Sequence, residues 1–165
     1  MKKTNLKLFI VILITLSAMS FVCRANAWGM TEDGCRGEIE INGQKVILVA
    51  NNTFDNLGTT AATEAECYDL EGEYLGSVES GGTANPLAIS GDKIFTGGHH
   101  YVECFTVDEK GITSTDRVDE VFDKEGNATY VYAGESGSVD SETAKEIYDN
   151  MFDEYLSAKA IEFTK

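Results

Sequence analysis

The chain has 165 residues, with 13 Lys and Arg against 28 Asp and Glu and a net charge of −15. A surface this acidic repels phosphate backbones and anionic membranes, which argues against nucleic-acid binding. It leaves cationic partners, calcium or simple solubility as the uses of the charge.

The first residues read as a leader. Met1-Lys2-Lys3 and Lys7 are positive, Leu8 to Val22 is an apolar run, and Ala25-Asn26-Ala27 is an A-x-A site. Together they predict a secretory signal peptide over residues 1–27, cut before Trp28. The apolar run is shorter than the roughly 18–20 residues that span a bilayer. Phe21 and Val22 are too bulky for lipoprotein processing at Cys23. The expected product is a secreted or periplasmic chain, residues 28–165, forming one β-rich domain without stable membrane insertion. Cleavage removes Lys2, Lys3, Lys7 and Arg24 but no acid, so the remainder carries a net charge of −19.

Cleavage also leaves Cys35, Cys67 and Cys104. Outside the cytoplasm an odd number implies one bridge and one free thiol, or an intermolecular bond. Cys67 and Cys104 each fall on the inward side of a predicted strand and are the expected pair.

Trp28 to Gly37 reads as an irregular arm. In the following GEIEINGQKVILVA, Asn42-Gly43 between two β-rich runs predicts a hairpin, because both residues tolerate the positive φ of a type I′ turn. Ile39 and Ile41 alternate with Glu38 and Glu40, as in a half-buried strand. Val46 to Ala50 is continuously apolar, which predicts a strand covered on both faces. Asn51 to Thr63, polar and rich in Gly and Thr, is expected to be the longest loop. Beyond it strands alternate with turns: Glu64 to Val78, then Pro86 to Ser90, Lys93 to Thr96, His99 to Val107, Ile112 to Phe122 and Ala128 to Ala133. Turns starting at Asp69, Asp108 and Asp123 share the pattern Asp-x-[Glu/Lys]-Gly. In each, Asp can bond the backbone two residues on and Gly can close the turn. Their uneven spacing is recurrent turn chemistry and not a repeat.

Near residue 140 the period changes. Asp140 or Ser141 can cap a helix. Ala144, Ile147, Tyr148, Met151, Phe152, Tyr155 and Leu156 keep the spacing of one helical face, with Glu142, Glu146, Asp149, Asp153 and Glu154 opposite. This predicts an amphipathic helix over about 141–158, packed on the sheet, and a short extension over 159–165. The fold class is therefore α+β and mostly antiparallel β: a curved or barrel-like meander of about eight or nine strands over 37–134 with one C-terminal helix.

The stretch KIFTGGHHYVECFTVD, Lys93 to Asp108, holds both histidines and a cysteine. In a strand His99 would share a face with Tyr101, Glu103, Phe105 and Val107, and His100 with Val102, Cys104 and Thr106. The two rings then point apart unless Gly97-Gly98 breaks the strand. His100 and Cys104 would lie about 13 Å apart at 3.3 Å per residue, too far for one zinc ion or for a nucleophile–base pair. His99, His100 and Glu103 remain the candidate binding residues, Glu103 because a carboxylate on an aromatic face needs a partner if buried. The acids at the Asp69, Asp108 and Asp123 turns fall short of an alternating calcium loop. No catalytic residue, metal site or cofactor is expected.

The leading functional expectation is a non-enzymatic binding or inhibitory domain with a cationic protein or a cell-envelope component as partner. One alternative is a small-ligand carrier with an aromatic-lined barrel cavity. The other is an enzyme or metal site around His99 and His100. Strand meanders followed by a helix recur among carrier and inhibitor barrels, an analogy of fold that carries no function.

Overall fold

The computed structural model describes residues 34–135 and 137–165. The predicted leader, its cleavage site and the arm from Trp28 to Asp33 lie outside the described residues. The elements in order are β1 (Cys35–Ile41), β2 (Gln44–Ala50), β3 (Phe54–Asn56), β4 (Thr59–Ala61), β5 (Glu64–Tyr68), β6 (Tyr74–Glu79), β7 (Ala88–Ser90), β8 (Lys93–Gly97), β9 (Tyr101–Asp108), β10 (Gly111–Phe122), β11 (Ala128–Gly134), α1 (Ser141–Ser157) and β12 (Lys159–Ala160).

The mostly antiparallel class with one C-terminal helix holds. Its strands form two open sheets and a small hairpin. The first sheet runs β1-β2-β5-β6, the second β11-β10-β9-β8-β7-β12, and β3 pairs only with β4. The predicted strands are present, though β1 already begins at Cys35, within the expected irregular arm. Twelve strands replace the expected eight or nine, because β3 and β4 occupy the expected long loop and β12 follows the helix. The β3–β4 turn was hidden by Leu57, which holds φ 54° ahead of Gly58, where Asn or Asp would have announced it. Asn42 and Gly43 take φ 52° and 74°, as their turn requires.

Two interiors follow from period-2 alternation. Between the sheets lie Ile41, Val46, Leu48, Cys67, Val78, Leu87, Ile94 and Val107. On the other face of the second sheet, Phe95, Val102 and Cys104 pack against Tyr155, with Tyr148, Met151 and Phe152 beside them. β9 is thus central. Its Phe105 and Val107 face the first sheet, and its Val102 and Cys104 face the helix.

This layering corrects the cysteine expectation. Cys67 and Cys104 are not bridged, and Cys35, Cys67 and Cys104 are free and buried. Each of the expected pair does point inward, but into a different interior. Burial, with Glu66 adding to it, pushes the Cys67 thiol up to about 12.

Asp140 caps α1, its carboxylate accepting the Thr143 N–H at 2.8 Å. Ser141 instead accepts the Tyr130 N–H at 2.9 Å and fastens the helix start to β11. Leu156 departs from the predicted stripe at 68% exposure. It lies about 100° around the helix from Tyr155, beyond the arc that meets the sheet.

The tail joins the two sheets. β12 pairs with β7, and Thr164 pairs with Arg36 of β1. Between them Ile161 and Phe163 are buried in the space between the sheets. The predicted Asp turns form as their chemistry requires. Asp69 accepts Glu73 N–H, Asp108 accepts Lys110 N–H and Asp123 accepts Glu125 and Asn127 N–H. These carboxylates are spent on their own turns.

Candidate functional site

Glu103 starts the site. It lies on the face of β9 that looks toward the first sheet, and Arg117 of β10 stands directly opposite. Arg117 Nη1 donates to Glu103 Oε2 at 2.9 Å. Ser114 Oγ donates to Glu103 Oε1 at 2.7 Å. Ser114 and Arg117 are three residues apart, so a regular strand would put them on opposite faces. The register of β10 on β9 shifts between Ser114 and Asp116. The extra residue, Thr115, is a β-bulge that returns Arg117 to Ser114's face. Both donors then reach one carboxylate.

Arg117 is fully engaged. Its Nε and Nη2 donate to Asp119 at 2.9 and 2.7 Å, and its guanidinium lies 4.5 Å from the Tyr101 ring centroid. These bonds, those to Asp119 first, raise its already high pKa. Tyr101 rests on backbone: a Cβ at Gly98 would overlap its ring. Burial raises the Tyr101 pKa, against the opposing effect of Arg117.

Together with Ser77, Glu79, Ser80, Gly81 and Phe105, these residues line an open cleft of about 400 Å³ between β6 and the β9–β10 pair. The Ser80–Gly81 wall is fixed by Gly97 N–H donating to Ser80 Oγ at 3.1 Å and Gly81 N–H donating to Gly97 O at 2.7 Å. Glu79 makes no ion pair among the described residues. The cleft therefore offers an uncommitted carboxylate, a serine-lined wall and two aromatic edges. Its one guanidinium is already neutralised by Glu103 and Asp119. This set suits a cationic or hydroxyl-bearing group.

Comparison with protein-family models, curated proteins and solved structures finds no match. The site is therefore read from its own geometry.

Glu103 has the partner it needed, but the structure does not bring it together with the histidines. His99 and His100 lie in the bend between β8 and β9 and not in a strand. Gly97-Gly98 does break the run there. The His rings are 6.2 Å apart. His100 Nδ1 meets Glu120 Oε2 at 2.9 Å, and Tyr130 donates to Glu120 Oε1 at 2.8 Å. Phe122 lies edge-on to His100 at 5.1 Å. Glu120 and Tyr130 belong to the helix-facing side, so the second sheet itself separates His100 from Glu103. Among the described residues no three His, Cys, Asp or Glu side chains converge as metal ligands would.

Glu120 gives a pH prediction. Its carboxyl is held below its ordinary value of 4.5, by His100 first and Tyr130 second. The stabilisation is present above that value and is lost as pH falls through the lower folded one. Glu120→Gln should therefore flatten the acid limb of stability. Urea midpoints of both forms at neutral pH and well below pH 4.5 test this, and an equal fall in both would refute it.

A second prediction concerns the pair. Removing Arg117 leaves Glu103, whose side chain is 13% exposed, without its cation. Arg117→Met should cost about 1–3 kcal/mol, less than a fully buried pair because Arg117 keeps contact with water. Adding Glu103→Gln should restore part of that loss. Costs that simply add would show the two side chains to be uncoupled.

Sequence reasoning missed Arg117, Ser114 and Glu79. One signal was present: the chain has only Arg24, Arg36 and Arg117, and Arg117 sits between acids in the middle of a strand. The bulge that selects Ser114 leaves no comparable mark.

Proposed function

We propose that this protein is a secreted or periplasmic binding domain, of the inhibitory or docking kind, that recognises a cationic partner through the Tyr101–Glu103–Arg117 cleft. The observation that carries the reading is the cleft's charge. Arg117 is neutralised by two carboxylates while Glu79 stays uncommitted at the rim. The surrounding surface is strongly acidic, which would steer a basic partner toward it. The leader-like residues 1–27 support the location outside the cytoplasm.

The carrier alternative is supported less. Between the sheets Ile41, Val46, Leu48, Leu87, Ile94 and Phe163 are almost wholly buried and fill the space a ligand would need. A catalytic role at His100 has one observation in its favour. Glu120 orients its ring as carboxylates orient catalytic imidazoles.

Binding of a lysine-rich peptide and of its glutamate-rich counterpart, measured against salt, tests the proposal. The basic peptide should bind, weaken with salt and weaken again in Glu79→Gln. Equal binding of both peptides, or indifference to Glu79→Gln, would remove the reading.

A further inference from the structure

Strand β6 is an edge of the first sheet. On its paired side Glu79 stands opposite Glu64, Val78 opposite Ala65 and Ser77 opposite Glu66, and Ser80 N–H donates to Thr63 O at 2.7 Å. In an antiparallel ladder, successive residues turn their N–H and C=O to alternate sides. Ser80 and Val78 therefore bond toward β5, while Ser77 and Glu79 turn their backbone groups to the free edge. Among the described residues neither has a backbone partner there, and both are exposed. An open edge of this kind is a template for another strand.

The same two residues line the cleft over β9 and β10. Contacts close the edge on either side of them. At one end the Leu75 carbonyl oxygen lies where a Cβ on Gly111 would be. At the other, Gly81 N–H donates to Gly97 O at 2.7 Å. The unpaired backbone is thus confined to the cleft. The charge there is as selective. Glu64 and Glu79 stand directly opposite each other, and neither makes an ion pair among the described residues. Like charges so placed are destabilising, and a cation beside them relieves the repulsion.

We propose that the cleft takes an extended segment of a basic protein, which adds to β6 as an antiparallel strand and sets a lysine or arginine beside Glu79. This rests on the cationic reading of the cleft and specifies its partner. An added strand continues the pleat of β6. Its residues opposite Ser77 and Glu79 share the face that carries Glu64 and Glu79, where a basic side chain meets both carboxylates. Its residue opposite Val78 points toward Tyr101 and Phe105, which favour an apolar side chain. The recognised pattern is basic–apolar–basic in extended backbone.

Alternating lysine–valine peptides test the pairing on the full wild-type chain, because N-methylation removes a backbone donor and keeps the charge. In an antiparallel strand the residues opposite Ser77 and Glu79 turn their own N–H toward β6. Methylating the lysine amides should therefore weaken binding about tenfold or more, and methylating the valine amides should not. Two isomers that bind alike, or in the reverse order, overturn the strand pairing. If they bind alike yet weaken with salt and in Glu79→Gln, the cationic reading survives without it. If no lysine–valine peptide binds in any form, both readings fall.

Discussion

Phe163→Ala is expected to lower stability by about 3–5 kcal/mol, the range for emptying a large aromatic site in a packed core. Phe163 is two residues from the last residue described, where a frayed end is the usual expectation. Here it is 1% exposed. Its N–H donates to Thr60 O at 2.8 Å, and Thr164 exchanges bonds with Arg36 on β1. The substitution therefore opens a cavity and loosens the strap between the sheets together. The denaturant midpoint should fall while its slope stays unchanged. Leu156→Ala is the control. That side chain is mostly exposed, and its loss should stay within about 0.5 kcal/mol. Comparable costs for the two would mean that the tail is not docked.

Gly111→Ala is expected to be as damaging by a different route. Gly111 holds φ 108°, where an L side chain is strained, and a Cβ there would overlap the Leu75 carbonyl oxygen. Leu75 belongs to β6, at the corner where the first sheet meets β10. Strain and steric overlap together should cost about 3 kcal/mol or more. Gly43 separates the two terms. It also has a positive φ, of 74°, but nothing lies within 4 Å of its Cβ position. Gly43→Ala should then show only the conformational cost, about 1–2 kcal/mol. Equal losses at both sites would mean that the β6–β10 corner can yield.

The parts of the fold readable in the sequence are those set by local chemistry. Asn42-Gly43, the Asp-led turns and the spacing from Ala144 to Tyr155 name their structures because one residue type meets one backbone demand. Continuous apolarity from Val46 to Ala50 correctly signals a strand buried on both faces. Alternation places Val102 and Cys104 opposite Phe105 and Val107. What alternation cannot supply is which interior a face looks into. That is why two inward cysteines, Cys67 and Cys104, invite a bridge that the layering forbids. The candidate site was half readable for the same reason. Glu103 stands out as an acid on an aromatic face, but its partners depend on how β10 registers against β9. His99 and His100 attract notice as rare residues, yet they lie in a bend on the other side of the sheet from Glu103.

The bulge at Thr115 has a wider consequence. Before it, even-numbered residues of β10 face the first sheet, as Ile112 and Ser114 do. After it the odd-numbered ones do, as Arg117 and Asp119 do. Strand β10 thus carries two reading frames of side-chain direction joined at one residue. Without Thr115, Ser114 and Asp116 would be consecutive, as their partners Phe105 and Cys104 already are, and Arg117 would stay opposite Glu103. Removing a residue elsewhere in β10, with the bulge kept, would instead put one half out of phase with β9. The strand's tolerance of a one-residue deletion should therefore be highest at this single point, far from any turn.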